Sequence, residues 1–298
     1  MKKHTYPLFV ITAISCNNEY NYHSFDFPND VFFSPTEQCE PVELPNPEDM
    51  KPIAICDVTT ANLAPIKEST TLFGEESYDP NGYKIVEYQW SLVDKPVGSA
   101  VGVNRFGTPN RENFTPDLAG EYTFQLSVTN DRCVQSDPCQ LTINALPNED
   151  LWIEMHWQHP GDDMDLHLIK NSAGFETDGD CHYGNCITYD DIEDEEEYGY
   201  STLEWGDPLL EADNPRLDLD DIDGTGPENI NVDEPAPATY TVFVHDYPDS
   251  VLHKENEVTV RVHLFGEVVY EETKTISGED EYVPFVDIDW PNGTITPR

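Results

Sequence analysis

The segment Tyr122-Thr123-Phe124-Gln125-Leu126-Ser127-Val128 alternates apolar and polar side chains without a break. Successive side chains of a strand point to opposite faces, so Tyr122, Phe124, Leu126 and Val128 share one buried side of a sheet. A helix would scatter the same four residues around its circumference. Shorter runs of this kind stand at 85–92, behind the turn signal Asp79-Pro80-Asn81-Gly82, at 140–145, and around Ile53 and Ile55. Past Asn148-Glu149-Asp150, strands are expected at 152–157, 163–169, 240–247, 257–264, 268–273 and 282–290. In the strand at 257–264 the valines and Leu264 are expected to face in, and Arg261 and His263 to face out. No convincing amphipathic helix interrupts the pattern. Many short strands separated by turn residues predict an all-β chain of two β-sandwich domains. A length of 298 residues suits two domains of roughly 150 each. Aromatic content of 11% is too rich for a disordered chain.

Charge narrows the partners. The chain holds 15 Lys and Arg against 59 Asp and Glu, for a net charge of −44. A phosphate backbone would be repelled, so nucleic acid is excluded as a partner. The folded state repels itself as well, unless cations screen or bind the acids. The acids are unevenly spread, which points beyond solubility to specific Ca²⁺ binding.

The N-terminus reads as an export signal. Lys2 and Lys3 precede an apolar run over 6–14 that is too short to span a bilayer. The run ends in Ala13-Ile14-Ser15-Cys16, which resembles a bacterial lipobox. By that resemblance residues 1–15 are a signal peptide and Cys16 is the lipidated residue. Asn17 and Asn18 follow, so the resemblance implies a surface-exposed lipoprotein of the outer membrane. Residues 16–50 then read as a tether. The six remaining cysteines, Cys39, Cys56, Cys133, Cys139, Cys181 and Cys186, suit disulfides in an exported chain. Cys181 and Cys186 are close enough to bridge locally; the other four allow three pairings.

Within 51–147, Phe73-Gly74-Glu75-Glu76-Ser77-Tyr78-Asp79-Pro80-Asn81-Gly82, Tyr88-Gln89-Trp90 and Pro116-Asp117-Leu118-Ala119-Gly120-Glu121-Tyr122 resemble the PKD domains, Ig-like sandwiches of exported proteins. Gly82 permits the turn, Trp90 fills the core between the sheets, and Gly120 starts the strand carrying Tyr122. After Trp90 the family commonly has Gly-Asp-Gly where Ser91-Leu92-Val93-Asp94 stands here. The resemblance implies a spacer or binding module.

Residues 148–298 are expected to form a second sandwich, jelly-roll or C2-like, and they carry two acidic clusters. In Asp162-Asp163-Met164-Asp165-Leu166-His167, alternation puts Asp163, Asp165 and His167 on one face, where neighbouring carboxylates repel unless a cation lies between them. The stretch 213–230 crowds Asp218, Asp220, Asp221 and Asp223 with Gly224 and Gly226 into what reads as an ion-wrapping loop. Ca²⁺ takes six to eight oxygens in flexible geometry. Asp163, Asp165, Asp218, Asp220, Asp221 and Asp223 are the expected ligands, with Asp180 and Glu228 in reserve. No EF-hand fits, because Leu219 and Ile230 would fall at its first and last ligand positions. The run 190–197 is nearly all acid without a glycine scaffold and reads as a solvated insertion. The Asp163-Met164-Asp165-Leu166-His167, Asp180-Cys181, Trp205-Gly206, Asp213-Asn214-Pro215 and Gly226-Pro227-Glu228-Asn229-Ile230 segments recur together in envelope proteins of myxobacteria and relatives. They are similar to the YfaP-type domain, a resemblance that implies no activity.

Catalytic signatures are thin. The chain has no G-x-S-x-G, no H-E-x-x-H and no phosphate-cradling loop. His156 and His159 sit three apart on a strand, so they face opposite sides. The expectation is a non-enzymatic surface lipoprotein: a PKD spacer bearing a calcium-stabilised binding or adhesion module. Trp205 and Tyr183 are the expected contacts to an envelope or extracellular protein or polysaccharide. A metal-dependent hydrolase of such polymers and a purely structural envelope component are the alternatives.

Overall fold

β-branched and aromatic residues alternating with polar ones set the strands, and Gly, Pro and Asn set the turns between them. The computed structural model describes residues 51–102, 107–187 and 203–298, except 249, 253, 278 and 279. Cys16, the tether, Cys39 and the run 190–197 lie outside the described residues.

The first sandwich comprises β1 (Asp57–Val58), β2 (Asn62–Leu63), β3 (Thr70–Phe73), β4 (Ile85–Asp94), β5 (Asn110–Phe114), β6 (Gly120–Asn130) and β7 (Cys139–Ala145). Its sheets run β1-β3-β5 and β2-β7-β6-β4, all antiparallel except β2 on β7. Tyr122, Phe124, Leu126 and Val128 are all buried, as the alternation requires. Trp90 fills the space between the sheets and donates its indole N–H to the carbonyl of Pro109 at 3.0 Å. The buried Tyr122 hydroxyl accepts the N–H of Leu118 and donates to Asp117 at 2.7 Å. Gly120 has a φ of +132°, so the strand begins where a side chain would be strained. Cys56 bonds Cys139, closing a loop across 83 residues. The expected strand at Ile53 and Ile55 reduces to isolated bridges of Ile53 to Tyr78 and Asp137.

The second sandwich comprises β8 (Leu151–Trp157), β9 (Met164–Lys170), β10 (Asp180–Cys181), β11 (Arg216–Leu219), β12 (Glu228–Val232), β13 (Ala238–Asp246), β14 (Asn256–Leu264), β15 (Glu267–Ile276), β16 (Tyr282–Trp290) and β17 (Thr294–Pro297). One sheet runs β10-β9-β13-β16-β17 and the other β11-β12-β8-β14-β15. Met164, Leu166 and Leu168 meet Ile153, Met155, Val260 and Val262 in the core between them. A four-residue helix, α1 (Tyr183–Cys186), is closed by the Cys181–Cys186 disulfide. Two corrections follow. The stretch 213–230 is no single loop, because β11 and the start of β12 pair within it. His263 does not face solvent: it is buried at 3% exposure.

The reason lies in Glu154. Alternation along β8 directs Glu154 away from the core, yet it is 2% exposed. Its carboxylate accepts the N–H of Ala119, from the first sandwich, at 2.6 Å and the Trp152 indole N–H at 2.9 Å. Arg261 and His263 approach its other oxygen at 3.4 and 3.3 Å. Gly98 of the first sandwich leaves no room for a Cβ against the His156 ring. Lys67 of the first sandwich pairs with the buried Glu149. The two sandwiches therefore meet through a buried polar joint.

Candidate cation site

The site forms where the edge of one sheet approaches the end of the other. Near Leu166 the short β10 no longer covers β9, since it pairs only Leu168 and Ile169. The open N–H of Leu166 donates to Glu228 at 2.8 Å, and Glu228 is fully buried at the first position of β12. The loop 220–227 is held by Asp221, whose two oxygens accept the N–H groups of Gly224 and Gly226 at 2.9 and 2.7 Å. Trp157 donates its N–H to Thr225, and Gly161 donates to Asp223, so the loop lies against the 157–163 turn.

Asp165, Asp220 and Glu228 each offer a carboxylate oxygen, and the three lie within 4.8 Å of one another. Among the described residues this is the one group of three acids, histidines or cysteines that converges so tightly. The second Glu228 oxygen is buried without a hydrogen-bond partner, and so is one Asp165 oxygen, which has only His245 Nδ1 at 3.5 Å. Burial and the neighbouring Asp165 and Asp220 push the Glu228 carboxyl well above its ordinary range. Burial, then Asp165 and Asp221, raises Asp220 to about 6. Burial, then Asp165, Asp220, Asp223 and Asp162, raises Asp163 to about 7. A buried orphan oxygen costs free energy, and mutually repelling carboxylates add to that cost. All three donors are hard oxygens, which suit Ca²⁺ or Mg²⁺ over Zn²⁺.

The expected ligands thus divide. Asp165, Asp220 and Glu228 converge; Asp163 lies close enough to act on Glu228 electrostatically, and Asp223 acts in turn on Asp163. Asp221 scaffolds the loop. Asp218 accepts the Asn231 side chain at 2.7 Å and does not join the group. Asp180 instead takes the His167 Nδ1 at 2.9 Å, beneath α1. Trp205 is a core residue and not a surface contact: at 3% exposure it stacks on Tyr240 and donates to the Asp178 carbonyl at 2.8 Å. Tyr183 stays partly exposed, edge-on to His182 and Tyr247.

A layer of rings that the sequence did not announce covers the outer face of β9. His182 stacks on His167 and Tyr282 on His245, with Phe175 edge-on to His167. Burial draws the His245 imidazole down, but Asp165 and Asp280 outweigh it and hold it above its ordinary value. The only sequence signal was the odd parity of Asp165 and His167 on β9.

Residues 59–143 match the family model described as "K319L-like, PKD domain". A solved structure described as "Structural basis for the promiscuous specificity of the carbohydrate-binding modules from the beta-sandwich super family" is 10% identical. It covers 80% of this chain and 84% of its own, with a TM-score of 0.29. No curated protein matches the chain. Among the described residues no helix is long and apolar enough to cross a membrane. Residues 59–143 of the chain are thus similar to a PKD domain.

Proposed function

We propose that this protein is a cation-stabilised binding or adhesion module of the cell surface, carried on its PKD domain and held to the outer membrane by lipid on Cys16. The observation that carries the cation is the orphaned, buried Glu228 oxygen beside Asp165 and Asp220. A Ca²⁺ ion there would be held by those three residues, with Asp163 and Asp223 supplying charge or further oxygens. The ion would neutralise the repulsion and fix the 220–227 loop against β9. PKD domains are typical of extracellular proteins, which suits the export signal and the disulfides. The YfaP-type resemblance of the second sandwich belongs to this proposal too.

Calorimetric titration of CaCl₂ into chelator-stripped protein tests the site. One ion per chain, with no heat in Glu228→Gln, is expected. An unchanged isotherm in Glu228→Gln would remove the site. Retention of the protein on envelope polysaccharide in Ca²⁺ but not in EDTA is the expected sign of the binding role.

A further inference from the structure

A second acidic feature differs in kind from the cation site. A groove of about 780 Å³ opens between the 206–213 segment, the turn at 233–237 and the chain entering β8. Asp150, Asp207, Asp213 and Glu234 line it together with Leu210 and Trp290. Its other acid, Asp233, is already neutralised, bonded to Arg216 at 2.8 Å with Lys67 at 3.5 Å. The rest have no ion pair among the described residues. Asp213 is 4% exposed; one oxygen accepts the Asp207 N–H at 2.7 Å, and the other is buried without a partner. Lys170, which feels the Asp213 charge, lies over the Trp205 ring instead. Burial, then Glu234 and Asp233, raises the Asp150 carboxyl above its ordinary value.

These carboxylates do not converge as metal ligands do; the converging group is Asp165, Asp220 and Glu228. They are spread along a wall, beside the exposed Leu210 and a Trp290 ring that packs against Phe265 at 5.2 Å. Spread negative charge next to apolar surface matches positive charges carried at intervals on a chain, with apolar side chains between them. Nucleic acid, with the wrong sign, is excluded.

We propose that this groove docks a basic, partly apolar peptide segment of a partner protein. Asp213 would receive a buried lysine or arginine head group, and Asp150, Asp207 and Glu234 would steer and hold the flanking charges. An unpaired buried carboxylate gains most from such a partner, because the desolvation cost is already met in the free protein.

The test uses an acetylated, amidated hexapeptide of alternating arginine and leucine, titrated by isothermal calorimetry into the whole chain in EDTA. Working in EDTA separates this outcome from the cation proposal. Asp213→Asn keeps an acceptor for the Asp207 N–H, and is expected to weaken binding about tenfold with its melting temperature retained. Asp150→Asn with Glu234→Gln is expected to weaken it at least as much and to flatten its salt dependence. The control, Glu87→Gln with Glu257→Gln, removes the same charge from exposed positions outside the groove and should leave binding within twofold. Equal losses in groove and control variants would mean attraction to net charge alone and overturn the proposal. Tighter binding of a chitosan tetramer, lost in Asp213→Asn, would assign the groove to an amino sugar and overturn the peptide.

Discussion

Glu228, the first residue of one sheet's β12, accepts the backbone N–H of Leu166, in β9 of the other sheet, at 2.8 Å. The contact satisfies an open edge and places a carboxylate beside Asp165 and Asp220, where its free oxygen has no protein donor. The same residue therefore closes the sandwich and creates a demand for positive charge.

Glu228→Gln keeps an acceptor for Leu166 and removes the charge. In EDTA its melting temperature should equal or exceed that of the wild type, because a neutral amide escapes the repulsion of Asp165 and Asp220. In excess Ca²⁺ it should fall below the wild type, since bound ion no longer contributes. Saturation a hundredfold above Kd adds about 2.7 kcal/mol to the wild type. Differential scanning calorimetry in both buffers reads the crossing.

The pH profile of the ion-free protein has a definite sign. Asp163 and Asp220 are raised from 3.8 to about 7 and about 6 in the folded state. The folded protein therefore binds protons more tightly than the unfolded chain. Their favourable contribution is full below about pH 4 and is lost as pH rises through 6 to 7. Both groups are partly solvated, so the slope is damped. Denaturation in EDTA should show these acids costing stability between pH 5 and 7.5, and saturating Ca²⁺ should flatten or reverse that trend.

Removing Glu154 should uncouple the sandwiches. Glu154→Ala strips the acceptor from the Ala119 N–H and the Trp152 indole and leaves Arg261 and His263 without their shared carboxylate. A cost of about 3–5 kcal/mol is expected for breaking such a buried network. Calorimetry should then resolve two transitions.

Trp205→Ala should act on stability and not on recognition. Truncating a buried tryptophan costs about 3–5 kcal/mol. At temperatures where the variant stays folded, binding of Ca²⁺ should be unchanged, which a titration at 15 °C would check.

How far the sequence reached depends on the range of the interactions. Tyr122 was legible because strand parity is a local property, while Trp90 and Gly120 were legible through the resemblance to PKD domains. Asp165 and Asp220 stood out because Asp-x-Asp is dense. Glu228 ranked as a reserve because its value comes from the uncovered edge of β9, 62 residues earlier in the chain. Asp221 looked like a ligand, but its oxygens are used by Gly224 and Gly226, and chain spacing does not separate a scaffold from a donor. Trp205 read as a surface contact; it stacks instead on Tyr240 in β13, a long-range neighbour that chain spacing does not announce. His263 and Glu154 obey the alternation, yet the first sandwich covers the face on which they stand.

The most direct test is the melting temperature of the purified chain in EDTA, in Ca²⁺ and in Mg²⁺, beside Glu228→Gln. With roughly 2–4 °C per kcal/mol for domains of this size, Ca²⁺ should raise the wild type by several degrees, Mg²⁺ by clearly less, and Glu228→Gln should respond to neither beyond screening. Equal small rises with both ions, unchanged in Glu228→Gln, would show charge screening alone and contradict a specific site at Asp165, Asp220 and Glu228.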